Sequence, residues 1–135
     1  MAHSAEDVVL AYYSALRAGE PLHPFFADDG PVVKVGVWSR HVGADLVASA
    51  LREQTGTTGD WVVESRDLRV GTAEAGDGAA GDGVAWFGDE VSMGWTDRGT
   101  GRRHEFDTRW SGALVRRDDV WRFVEMHVSV PQGGG

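Results

Sequence analysis

The feature that most constrains this chain is a change of hydrophobic period. Up to about residue 55 the apolar residues recur every three to four positions, and from Trp61 onward they alternate. Helices first and strands afterwards predict an α+β fold, with the helices packed on one face of an antiparallel sheet. The first run, Val8, Val9, Tyr12, Tyr13 and Leu16, follows a capping signal of Ser4 and Asp7 and stops at Gly19, which predicts a helix over about 5–18. Between Pro21 and Gly30 only a short helix fits, because Pro24 suits a first turn and Gly30 an ending. Val32 to Trp38 is β-branched and reads as a strand, and Leu46, Val47, Ala50 and Leu51 share one face of a helix over about 43–54.

Four further strands are expected near 61–70, 84–95, 104–117 and 120–130. Their connections, Gly71–Gly83, Thr96–Arg103 and the tight Asp118-Asp119 turn, are short enough for antiparallel neighbours. Along the last strand alternation separates Val124, Met126, Val128 and Val130 from Trp121, Phe123, Glu125, His127 and Ser129. The purely apolar set is expected to face the helices. A three-residue loop, Asp118 to Val120, would pair Trp110 with Val128, Gly112 with Met126 and Leu114 with Val124; a two-residue loop would flip the pairing.

At 135 residues the chain is sized for a single domain, expected over 1–131 with a loose, flexible tail at 132–135. It can bury roughly two-thirds of its unfolded surface, so its lack of Cys removes no staple that it needs. A net charge of −8 repels a phosphate backbone, which argues against nucleic acid as a partner. No apolar stretch is long enough to span a bilayer and no leader is evident, so no membrane association and a cytoplasmic location are expected. Lys34 is the only lysine among 13 basic residues, which reads as coding bias. The histidines lack ligand spacing, so no metal is expected, and Asp77-Gly78 with Asp82-Gly83 reads as a turn and not a calcium loop. There is no Gly-x-Ser-x-Gly elbow and no phosphate-binding glycine loop.

Three stretches carry a resemblance. They are Val9 to Glu20 with Phe25-Phe26-Ala27-Asp28-Asp29 behind it; Val84-Ala85-Trp86-Phe87; and Arg109-Trp110-Ser111 leading to Trp121 through Pro131. Together they resemble the SnoaL-like branch of the nuclear-transport-factor-two-like and ketosteroid-isomerase-like superfamily, over nearly the whole chain. The last stretch is also similar to the end of the association domain of calcium/calmodulin-dependent kinase. The resemblance implies a cone (cystatin-like, ketosteroid-isomerase-like) in which a strongly curved sheet wraps the N-terminal helix around an apolar pocket. It also implies a homodimer through the convex sheet face, with His127 at the contact.

For the site, the resemblance implies that Tyr12 donates a hydrogen bond to an enolate, against the plain alternative of helix packing. The isomerase base is missing, because its neighbourhood reads Val33-Lys34-Val35. The second acidic donor falls at Trp110 or Gly112, where Trp110 offers only an indole N–H. Glu90 shares a face with Val84, Trp86 and Gly88, so in a regular strand it projects into the pocket as a general acid or base; in a bulged or frayed strand it is a surface group. A buried Lys34 would be a nucleophilic amine or a partner for Glu90, although such a lysine more often points outward. Trp38, Trp86, Trp110, Met126 and Val128 are the expected walls. Two functions follow: a cofactor-free isomerase, dehydratase or cyclase acting on a hydrophobic small molecule, or a non-catalytic ligand-binding or dimerising module.

Overall fold

The computed structural model describes residues 3–74 and 83–131. The acidic glycine loop around Asp77 to Asp82 and the tail at 132–135 lie outside them. Two helices, α1 (Ala5–Ala18) and α2 (Ala44–Thr57), and a 3₁₀ turn at His23–Phe25 accompany seven strands. These are β1 (Val33–Val35), β2 (Arg40–Val42), β3 (Thr58–Ser65), β4 (Arg69–Glu74), β5 (Gly83–Asp97), β6 (Arg103–Arg117) and β7 (Val120–Ser129). The sheet runs β2-β1-β7-β6-β5-β3, with β4 beside the start of β5. All pairs are antiparallel except β1 with β7, which is parallel.

Local chemistry sets both helices. Ser4 and Asp7 form the reciprocal capping box of α1, and Gly19 ends it in a left-handed conformation at φ 72°. Helix α2 runs past its expected end, and over its last turn the hydroxyls of Thr55, Thr57 and Thr58 donate back to the carbonyls of Leu51, Glu53 and Gln54. The buried stripe of α1, including Val9, Tyr12, Tyr13 and Leu16, lies in one core with Phe87, Val91, Trp110, Leu114, Phe123 and Met126 of the sheet.

Three features depart from expectation. A second short strand, β2, follows Trp38. The stretch expected as one strand over 61–70 divides into β3 and β4, where Arg66 and Asp67 turn away to hydrogen-bond with the Glu90 carbonyl and the Asp89 carboxylate. Most consequential, the last hairpin combines both candidate registers. Its loop has two residues, Asp118 and Asp119, both at positive φ (53° and 63°), as a primed turn requires. A bulge then leaves Val124 without a partner: Leu114 pairs with Phe123, but Gly112 pairs with Met126 and Trp110 with Val128. The extra residue reverses the alternation, so Trp121 and Phe123 join Met126 and Val128 on the helix side and are buried. Assigning Trp121 and Phe123 to the outer face assumed a regular strand.

Close to the bulge, Gly112 lets β6, β7 and Phe87 approach tightly. A Cβ at this position would meet the Glu125 carbonyl oxygen and lie 2.7 Å from Phe87 Cε1. Gly112→Ala should therefore cost roughly 1–3 kcal/mol, read as a lower urea midpoint. A variant as stable as the parent would show that the strands are not pinched there.

Candidate functional site

The curved sheet, the two helices and the β1–β2 turn frame a half-open cavity of about 470 Å³. Its walls are largely aromatic and aliphatic: Tyr12 and Leu16 of α1, Trp61 of β3, Trp95 of β5, Trp110 of β6, and Met126 and Val128 of β7. Trp38, 67% exposed at the β1–β2 turn, stands at the rim. It meets Trp95 edge-on at 5.7 Å, and Trp61 and His104 stack on Trp95 at 5.1 and 4.9 Å. A flat apolar ligand entering here would meet rings on several sides.

Two of the polar groups that face this cavity bear on its chemistry, and neither has a partner among the described residues. One is Tyr12 Oη. Its ring is fixed edge-on by Phe25, Phe26, Trp110 and Phe123 at 5.4–6.3 Å, and burial pushes its phenol well above the ordinary range. Among the described residues no hydrogen bond holds the hydroxyl, yet no sealed polar side-chain atom there lacks a partner, so the hydroxyl opens on the cavity it lines. The other is Lys34 Nζ. Lys34 lies beside Met126 across the parallel β1–β7 ladder and opposite His41 across β1–β2, and all three line the cavity. No carboxylate lies within ion-pair distance of it among the described residues, and burial lowers its amine from 10.5 to about 8. The expectation that Lys34 points outward is corrected: β1 takes its facing from Met126, so the lysine turns in while Val33 and Val35 turn the other way.

Two expected site residues stand elsewhere. Glu90 lies on the outer face, about half exposed, with its carboxylate 3.8 Å from Arg66 and 3.5 Å from Arg109. Trp86 shares that face, 52% exposed, with its ring laid over Gly71. The inward set of β5 is the other parity: Ala85, Phe87, Asp89, Val91, Met93 and Trp95 are all buried. The buried carboxylate is thus Asp89, which accepts hydrogen bonds from Tyr13 Oη at 2.9 Å and the Asp67 N–H at 3.0 Å. It ties α1 to the turn between β3 and β4 and does not line the cavity. Trp110 is in the wall, but its indole N–H donates to Thr108 Oγ1 at 2.9 Å and is no free donor for a ligand. His127 is exposed on the outer face, beside Val35 and Ser111. Six of the eight expected site residues, Tyr12, Lys34, Trp38, Trp110, Met126 and Val128, line one cavity. No group of three or more potential metal ligands occurs among the described residues, and no helix there is long and apolar enough to cross a membrane.

An α+β cone holding an apolar cavity with isolated polar groups defines the class. The profile of the SnoaL-like domain matches residues 5–133, and the chain belongs to that family. Solved structures agree in fold. A protein with a cystatin-like fold from Caulobacter vibrioides is similar with a TM-score of 0.72 at 22% identity, covering 95% of this chain and 87% of that one. A ketosteroid isomerase-like protein from Erwinia carotovora gives 0.64 at 19%, covering 93% and 92%. A proposed dehydratase of the NTF2-like family from Streptomyces avermitilis gives 0.71 at 16%, covering 95% and 94%. No curated protein sequence matches the chain.

The buried amine has a measurable consequence. With Lys34 at about 8 when folded and 10.5 when exposed, the unfolded chain holds more protons between those values. Its contribution to stability therefore rises with pH across that window, and the full penalty applies below pH 8. Lys34→Met should be more stable than the parent at pH 7 by up to about 3 kcal/mol, with the advantage shrinking toward pH 10. Urea unfolding of both proteins at the two pH values checks this; a constant difference would place the amine in water.

Proposed function

We propose that the protein binds a hydrophobic small molecule in the cone and performs cofactor-free proton transfer on it, as an isomerase, dehydratase or cyclase. The observation that carries this reading is the pairing of a free phenol and an amine of lowered basicity in one aromatic cavity. Tyr12 Oη donates to a carbonyl oxygen of the substrate, where negative charge develops as a proton leaves the adjacent carbon. Lys34 takes that proton, because near neutral pH a fraction of its amine carries no proton, and returns it at another carbon or to a departing hydroxyl. Trp38, Trp110, Met126 and Val128 hold the substrate and exclude water. The Streptomyces avermitilis relative is named as a proposed dehydratase, which accords with this reading.

We propose further that the protein is a cytoplasmic homodimer through the outer sheet face, where Val84 and Trp86 leave apolar surface uncovered. A second reading, a non-catalytic ligand-binding module, is favoured by one observation: the carboxylate expected as acid or base, Glu90, stands outside the cavity, tied to two arginines.

With a panel of hydrophobic ketones and β-hydroxy ketones, Tyr12→Phe and Lys34→Met should each lower kcat by roughly 100-fold or more, while tryptophan quenching shows that binding stays within a few-fold. Glu90→Gln should leave kcat unchanged. Binding without turnover of any member in the parent protein would select the binding-module reading.

A further inference from the structure

The cavity is unusual in its nucleophiles. The chain has no cysteine, and Lys34 is its only lysine, every other basic side chain apart from histidine being an arginine. Its one ε-amine therefore stands in the apolar cavity. A guanidinium there would stay protonated and could not attack carbon, whereas an amine that loses its proton is a good nucleophile. Among the described residues no carboxylate lies within ion-pair distance of its ammonium form. Tyr12 Oη supplies a hydrogen-bond donor with no other partner, and His41, directly across the β1–β2 ladder, supplies a proton carrier in the same cavity.

We propose that the cavity takes hydrophobic aldehydes or ketones and that Lys34 Nζ adds to their carbonyl carbon to form an imine. This rests on the pocket reading above but not on any particular turnover. The nitrogen lone pair forms the C–N bond as the carbonyl π pair moves to oxygen, which takes a proton from Tyr12 Oη or His41. The nitrogen gives up a proton to the same groups, and the carbinolamine oxygen then leaves as water with a second proton. The balance is one carbonyl compound plus one amine giving one imine plus one water, with no oxidant or reductant. The burial that lowers the amine to about 8 keeps part of it reactive near neutral pH. The other titratable groups lining the cavity are Tyr12 from α1, His41 from β2 and Glu53 from α2.

The test uses 2-naphthaldehyde with sodium cyanoborohydride, which fixes an imine as a stable secondary amine, followed by intact mass measurement and peptide mapping. 2-Naphthalenemethanol, the same ring without a carbonyl, serves as competitor and as a separate quenching ligand. One adduct per chain is expected at Lys34, forming at least about tenfold faster than at the N-terminal amine, suppressed by the alcohol and absent in Lys34→Arg. Labelling of Lys34 no faster than of the N-terminal amine overturns the inference, as does labelling that the alcohol does not suppress. Quenching by the alcohol without an adduct removes the covalent step and leaves the pocket reading standing; neither quenching nor adduct removes both.

Discussion

The facing of the cavity wall depends on one residue that has no partner in the β6–β7 ladder. Val124, bulged out of β7 opposite the step from Ala113 to Leu114, shifts the alternation of the central hairpin by one position. Before the bulge, Trp121 and Phe123 point at the helices; after it, Met126 and Val128 do. Without the shift, half of β7 would turn its apolar side to solvent. Since β1 pairs in parallel with the second half of β7, the same shift fixes the facing of Lys34 beside Met126. The apolar wall of the cavity and the amine within it thus follow from a single register decision.

Much of this was legible in the residues, and the rest was hidden for identifiable reasons. The first helix is readable because its cap, stripe and terminating glycine agree over residues 4–19. The facing of Met126 and Val128 is readable from alternation near the end of β7, but Trp121 and Phe123 lie beyond the bulge, which no local pattern announces. In β5 the apolar look of Val84 and Trp86 suggested the wrong parity. Following the alternation on to Met93 and Trp95 gives the other one and predicts a buried Asp89 and an outward Glu90. Lys34 misleads for a different reason: it lies between two valines, so a strand rule that turns apolar residues inward turns the lysine out. Its true facing is set by a strand about ninety positions later, and sequence periodicity carries no such information.

The chemistry follows from what the cavity lacks as much as from what it contains. Two of its rings satisfy their own polar edges, Trp110 through Thr108 and Trp61 through Thr58. The buried carboxylate of Asp89 is occupied with the frame, receiving the hydroxyl of Tyr13 and a backbone N–H. Tyr12 and Lys34 keep their hydrogen-bonding capacity among the described residues, as do the side chains of His41 and Gln54 in the same cavity. An amine placed among tryptophans without a counter-ion costs stability, and such a cost is typical of a functional site.

Because the chain contains a single lysine, its ε-nitrogen can be followed by itself in a protein labelled with ¹⁵N-lysine. An NMR titration of that one signal measures the environment on which the whole account turns. An amine enclosed in the cavity should titrate at about 8 and shift when an apolar ligand is added. A midpoint near the ordinary lysine value, insensitive to ligand, would place Lys34 in water and contradict the account.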